Sequence, residues 1–199
     1  MRKRGGYAAH FRQRFGRYAP ELESRLRPGA LWLHAVSVGE VYVAGQLMRA
    51  LRATAPETRF IISTTSSTGW REACKLLGPD DAMVYNPLDF PACVGRALVA
   101  IRPRAFLLVE TELWPNWIRI CARRRIPIFL VNGRMSDATA STYRRLRFWF
   151  GPVLRCFDRL MVQSDLDARR FADAGADPAR IAATGSFKFD VARRHPDKE

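Results

Sequence analysis

Seven short apolar runs, each followed by a longer amphipathic stretch, constrain this chain more than any other feature. They are ALWLHAV (30–36), RFIISTT (59–65), AMVYN (82–86), AFLLVE (105–110), IPIFLVN (126–132), RLMVQ (159–163) and RIAATG (180–185). Each is nearly all apolar rather than alternating, the pattern of a strand covered on both faces. The stretches between them, near 40–54, 69–77, 90–101, 115–125, 137–157 and 165–174, read as helices. Alternation at this interval predicts an α/β fold: a parallel sheet with right-handed crossovers and helices on both faces.

Local punctuation agrees. Pro115 suits the first turn of a helix, where its missing N–H costs nothing. Ser164 or Asp165 can cap the helix over 165–174, and Gly175 stands where that helix should end. Three parts result: a basic leading segment (1–29), the α/β domain (30–185) and the start of a polar linker (186–199).

The leading MRKRGGYAAHFRQRFGRY is basic with interspersed aromatics and lacks the apolar core of a signal peptide. It reads as a helical segment near a membrane; a solvated segment and one touching anionic lipid headgroups both fit. No run reaches the roughly 18 apolar residues of a membrane span. Cys74, Cys93, Cys121 and Cys156 are far apart with no histidine at ligand spacing, which argues against a disulfide framework or a zinc site and for a reducing setting. Basic residues outnumber acidic ones 33 to 19, for a net charge of +14. That surplus favours an anionic partner: nucleic acid, a phosphorylated ligand or a membrane surface.

Ligands of open parallel sheets gather outside the carboxyl ends of the strands. The residues there are SVGE (37–40), TTSSTG (64–69), ETE (110–112), NGRMS (132–136) and GSFKFD (185–190). Carboxylates, hydroxyls, an arginine and a lysine thus converge on one rim. Each has a plain alternative. Glu40 can complement a helix dipole, the 64–68 hydroxyls can satisfy backbone groups, and Glu112 can be solvated before the Pro115 turn. Glu110 is harder to dismiss, because it ends an apolar run where an unpaired charge is costly. Trp114, Trp117, Ile118 and Cys121 share helical spacing and read as packing. No G-x-G-x-x-G, P-loop or G-x-S-x-G motif is present, which counts against a nicotinamide dehydrogenase, a P-loop NTPase and a serine hydrolase.

Four of these motifs, WLHAVSVGE (32–40), VETELWPN (109–116), VNGRMS (131–136) and TGSFKFD (184–190), resemble in order and spacing the bacterial 3-deoxy-D-manno-octulosonic acid (Kdo) transferases. The resemblance runs from about Tyr7 to Asp190. It implies the N-terminal, Rossmann-like acceptor domain of a GT-B glycosyltransferase, whose donor domain would follow the linker and without which the fragment is inactive. It implies inverting transfer of Kdo from CMP-Kdo to the lipid A precursor (lipid IVA), at the cytoplasmic face of the bacterial inner membrane. By resemblance Glu40 is the general base, and Glu110 and Lys188 support the transition state. Arg134, Thr65 and Ser66 are substrate contacts. No metal and no cofactor beyond the donor substrate CMP-Kdo is implied. A helix start alone would lower the pKa of Glu40 and weaken it as a base, whereas burial against the first strand or a second carboxylate nearby could raise it again. The rival readings are a basic nucleic-acid-binding α/β domain, on charge alone, and a GT-B enzyme with another nucleotide sugar. No nucleic acid partner is expected.

Overall fold

The structure is a computed structural model that describes residues 10–187. Its seven strands are β1 (Leu31–His34), β2 (Phe60–Thr64), β3 (Ala82–Tyr85), β4 (Ala105–Val109), β5 (Ile128–Gly133), β6 (Arg159–Val162) and β7 (Ile181–Ala183). They form one parallel sheet in the order β3-β2-β1-β4-β5-β6-β7. Each lies inside or beside its expected run, because strands covered on both faces must be apolar at every position.

The helices are α1 (Pro20–Glu23), α2 (Val38–Thr54), α3 (Ser67–Cys74), α4 (Pro91–Ile101), α5 (Pro115–Arg123), α6 (Asp137–Arg145), α7 (Arg147–Leu154) and α8 (Asp165–Asp173). The single helix expected over 137–157 is in fact two. Leu146 leaves helical geometry at φ −101°, and the resulting bend stacks Tyr143 on Phe150 at 4.0 Å. That stacking is a contact that periodicity does not foresee.

Two apolar clusters sit on opposite faces of the sheet. One packs α2 and α3 against Leu33, Phe60, Ile62 and Leu107. The other packs α4, α5 and α7 against Trp32, Ile61, Phe106 and Leu108. Trp117 is completely buried there, edge-on to Trp32 at 4.4 Å and stacked on Phe106 at 4.7 Å. It is core, as its spacing predicts.

Within the leading segment, a 3-10 turn (Phe11–Phe15) and α1 are the helical pieces among the described residues. Gln13 accepts from the Tyr85 N–H at 2.8 Å, and Arg14 donates to the Asn86 carbonyl at 2.6 Å. The turn thereby covers the β3 edge, and Tyr18 and Leu26 enter the core. Among the described residues no helix is long and apolar enough to cross a membrane.

The strand order reverses between β1 and β4, so the crevice of this fold opens at their carboxyl ends.

Candidate functional site

Glu40 and Glu110 flank that crevice. Ser37 caps α2: its hydroxyl accepts from the Glu40 N–H at 3.2 Å. Glu40 answers through Oε1, which accepts from the Ser37 N–H at 3.2 Å, while Oε2 accepts from the Val36 N–H at 2.8 Å. This reciprocal capping box fixes the carboxylate in place. Glu40 is nonetheless buried, with 6% of its surface exposed. Burial raises its pKa above the ordinary value, the two backbone bonds and the Ser37 bond pull it down, and nearby Glu110 adds to the rise. The net direction is upward. A carboxylate offers about four lone-pair sites, so two backbone bonds leave others for a substrate proton.

Glu110 is the first residue after β4 and sits in the left-handed region, φ +59°. Its N–H continues the sheet by donating to the Val131 carbonyl at 2.9 Å. Asn132, near the end of the adjacent β5, is also left-handed at φ +57°. Left-handed backbone costs a non-glycine residue about 1–2 kcal/mol, and such strain clusters at functional sites. The half-buried Glu110 carboxylate faces the exposed Arg134, Nε to Oε2 at 3.7 Å. Thr111 locks the same corner, donating to the Arg134 carbonyl and accepting from its N–H. Glu112 is on the rim as well, and its pKa is raised by partial burial, then by Glu40 and Glu110.

These groups line one cleft of about 540 Å³. It brings together Glu40, Glu110, Glu112 and Arg134, together with Gln163, Asp167 and Arg170 from the β6–α8 corner. Sequence reasoning missed that corner. Its signal was position alone, because QSD follows a strand as ETE does. Asp167 accepts from the Met135 N–H at 2.8 Å and Arg170 donates to the Met135 carbonyl at 2.6 Å, so α8 holds the loop that carries Arg134.

Thr65 and Ser66 stand outside this cleft lining. The Ser66 hydroxyl caps α3 by accepting from the Gly69 N–H at 3.0 Å and donates to the Val36 carbonyl at 3.1 Å. Lys188 lies outside the described residues. Among the described residues no group of three or more histidine, cysteine or carboxylate side chains is placed to hold a metal ion.

Two supports behind the crevice were also unforeseen. Asp89 accepts from the N–H groups of Asn116 and Trp117, at 3.2 and 2.8 Å, and so caps α5 from another loop. His34 is fully buried at the end of β1, edge-on to Trp114 at 5.9 Å. Its Nδ1 lies 3.0 Å from the Ser63 hydroxyl, and burial lowers its pKa to about 3.

The family described as 3-deoxy-D-manno-octulosonic-acid transferase (kdotransferase) matches residues 9–191. A 3-deoxy-D-manno-octulosonic acid transferase of Bordetella pertussis is 35% identical over 90% of this chain and 42% of its own length. The enzyme of that name from Haemophilus influenzae is 29% identical over 93% of this chain and 43% of its own. A bifunctional glycosyltransferase/methyltransferase of Fusobacterium nucleatum is 30% identical over 81% of this chain and 25% of its own. The chain thus spans about two fifths of the length of the named transferases. Among solved structures, a putative UDP-N-acetylglucosamine 2-epimerase from Listeria monocytogenes shares the fold, with TM-score 0.56 and 12% identity over 87% of this chain and 50% of that one.

Proposed function

The chain belongs to the 3-deoxy-D-manno-octulosonic acid transferase family, and from that premise we propose that it is the acceptor-side, GT-B domain of an enzyme that moves Kdo from CMP-Kdo to the lipid A precursor, lipid IVA. Glu40 is the general base. It takes the proton of an acceptor hydroxyl as that oxygen forms a bond to the anomeric carbon of Kdo. The bond from that carbon to the CMP phosphate breaks on the opposite face, CMP leaves with the electron pair, and the configuration inverts.

The observation that carries this reading is the geometry of Glu40: a buried carboxylate of raised pKa, fixed by backbone donors, at the strand-order reversal and electrostatically coupled to Glu110. A raised pKa makes the ionised carboxylate a stronger base. Glu110 and Arg134 then form an adjustable charged clamp, with Arg134 suited to phosphate or carboxylate by its planar fork. Lys188 completes the support of the transition state, and Thr65 and Ser66 remain proposed contacts of a more distant part of the acceptor. The reaction as proposed uses no cofactor and no metal. The donor site belongs to the part of the relatives' length that this chain does not span. The enzyme works at the cytoplasmic face of the inner membrane, an assignment supported by the +14 charge and a phosphorylated lipid acceptor.

The test is a donor and acceptor matrix with the full-length protein. CMP-Kdo with lipid IVA should give Kdo-bearing lipid, whereas UDP-hexoses should give no product. Transfer from a UDP-hexose in place of CMP-Kdo would contradict the assignment.

A further inference from the structure

The two faces of the sheet carry different charge. On one face, α2 and α3 with the residues behind them (38–57 and 67–80) hold four acidic and four basic residues. On the other, α4, α5 and α7 with their flanks (90–102, 115–125 and 146–157) hold eight arginines and no acid. These three helices lie side by side, α4 beside α5 and α5 beside α7, and fill one core cluster from the same side. Their outer surface is one basic layer, with Asp89 and Asp158 just outside these segments and Glu21 and Glu23 on α1, which reaches the α4 groove through Glu23.

Large apolar side chains stand out of that layer. Phe148 is 76% exposed, Val99 64%, Phe90 62% and Trp149 53%. The Arg119 guanidinium lies over the Trp149 ring at 5.8 Å. Among the described residues Tyr42, 54% exposed on α2, is the large exposed apolar group of the opposite layer, so the more exposed ones gather on α4 and α7 among cations, as an interaction surface would have them. Arginines at helix C-termini such as Arg102 and Arg123 also complement the helix dipole. The dipole does not account for the exposed aromatic and aliphatic groups.

Between the Gly16–Tyr18 turn and α4 the layer opens into a groove of about 780 Å³. Arg17, Arg96, Arg102 and Arg124 line it beside Val99, with Glu23 as the acid among its lining residues. None of these four arginines has a carboxylate ion-pair partner among the described residues. Arginines beside an apolar wall match an anionic headgroup joined to an acyl chain.

We propose that this face is a docking surface for an anionic lipid bilayer, with lipid phosphates in the α4 groove and Phe90, Val99, Phe148 and Trp149 entering the headgroup boundary. The inference gives residues to the membrane association proposed above and rests on that reading. It also explains why charge is segregated to one helical layer while the other is balanced.

The experiment measures partition of the full-length protein onto phosphatidylcholine vesicles with and without phosphatidylglycerol, across a salt series. The variants are Arg123→Glu with Arg124→Glu, and Val99→Asp with Phe148→Asp. Arg49→Glu with Arg71→Glu, on the opposite layer, is the control. Each basic residue near an anionic surface contributes about 1 kcal/mol, about fivefold in partition, so the Arg123/Arg124 pair should lose at least about tenfold. The apolar pair should lose a comparable factor at high salt, and the control should stay within about twofold. Transfer to detergent-dispersed acceptor should be unchanged in all variants. Equal losses in face variants and control would overturn the assignment of the face while membrane association stands. No preference of the wild type for anionic vesicles would overturn the membrane reading itself. Tighter binding to duplex DNA than to vesicles would assign the layer to nucleic acid instead. Loss of detergent-phase transfer would place these residues in the acceptor site.

Discussion

Glu40 and Glu110 are the same residue type on the same rim, behind strands in direct register (His34 opposite Leu108), yet they are held in opposite ways. Glu40 is on a helix, buried and fixed through three backbone-linked bonds within one turn. Glu110 is on a strained turn, its side chain 16% exposed, facing an exposed arginine at 3.7 Å. A base must meet its proton at one distance, so a rigid cap suits it. A charged clamp must follow a substrate whose charge moves, so a loose ion pair suits that role.

The largest effect should separate the two. Glu40→Gln keeps one of the two acceptor oxygens used by the Val36 and Ser37 N–H groups but cannot take a proton, and should lower turnover of the full-length enzyme by about 10²–10⁴-fold. Glu110→Gly should be smaller in rate, about 10–100-fold. It should also raise stability or leave it unchanged, since glycine relieves the left-handed strain of about 1–2 kcal/mol. Denaturant titration beside initial rates would check both. A stability loss on removing Glu110 would mean that its side chain holds the fold.

Ser37→Ala tests the rigid side through its cap. It should cost about 0.5–2 kcal/mol in thermal unfolding and weaken turnover by releasing Glu40. Unchanged turnover would show that the cap does not position the carboxylate.

Acid should then act on this half of the rim through His34. Its folded pKa, about 3, lies below the usual value near 6.5, so the unfolded chain binds the proton first. Stability is therefore present above pH 6.5 and lost as pH falls toward 3, by at most about 1.4 kcal/mol per pH unit. Glu40 has the opposite sign: its raised pKa removes stability as pH rises from the ordinary carboxylate range, so Glu40→Gln should gain on the wild type toward neutrality. Unfolding curves at several pH values for wild type, His34→Gln and Glu40→Gln would read both signs. The smallest effect belongs to Arg134→Lys. Its exposed ion pair contributes about 0–1 kcal/mol to stability, so a change should show in substrate KM rather than in unfolding.

The sheet was legible because both of its faces are covered, which leaves strands like AFLLV no polar position to blur the pattern. The rim was legible where a single strand end delivers a charged residue, as at Glu110. It was not legible where support arrives from afar. Asp89 caps α5 across 27 residues, and Asp167 and Arg170 reach the Arg134 loop from a helix read only for its own Ser164 cap. The hydroxyl row carries a structural task that its composition does not reveal: the Ser66 hydroxyl accepts from a helix N–H and donates to the Val36 carbonyl. Buried His34 carried no periodic signal, because a polar side chain inside an apolar strand becomes intelligible only with its Ser63 and Trp114 neighbours.

The central claim is that Glu40 removes the acceptor proton, and single-turnover transfer by Glu40→Gln across pH tests it most directly. The account predicts a wild-type rate that falls in acid as Glu40 protonates, and a Glu40→Gln rate that is at least a hundredfold lower and flat over the same range, with unaltered circular dichroism. A Glu40→Gln enzyme that keeps the wild-type rate and its acid limb would contradict it, and would leave Glu40 as a helix cap.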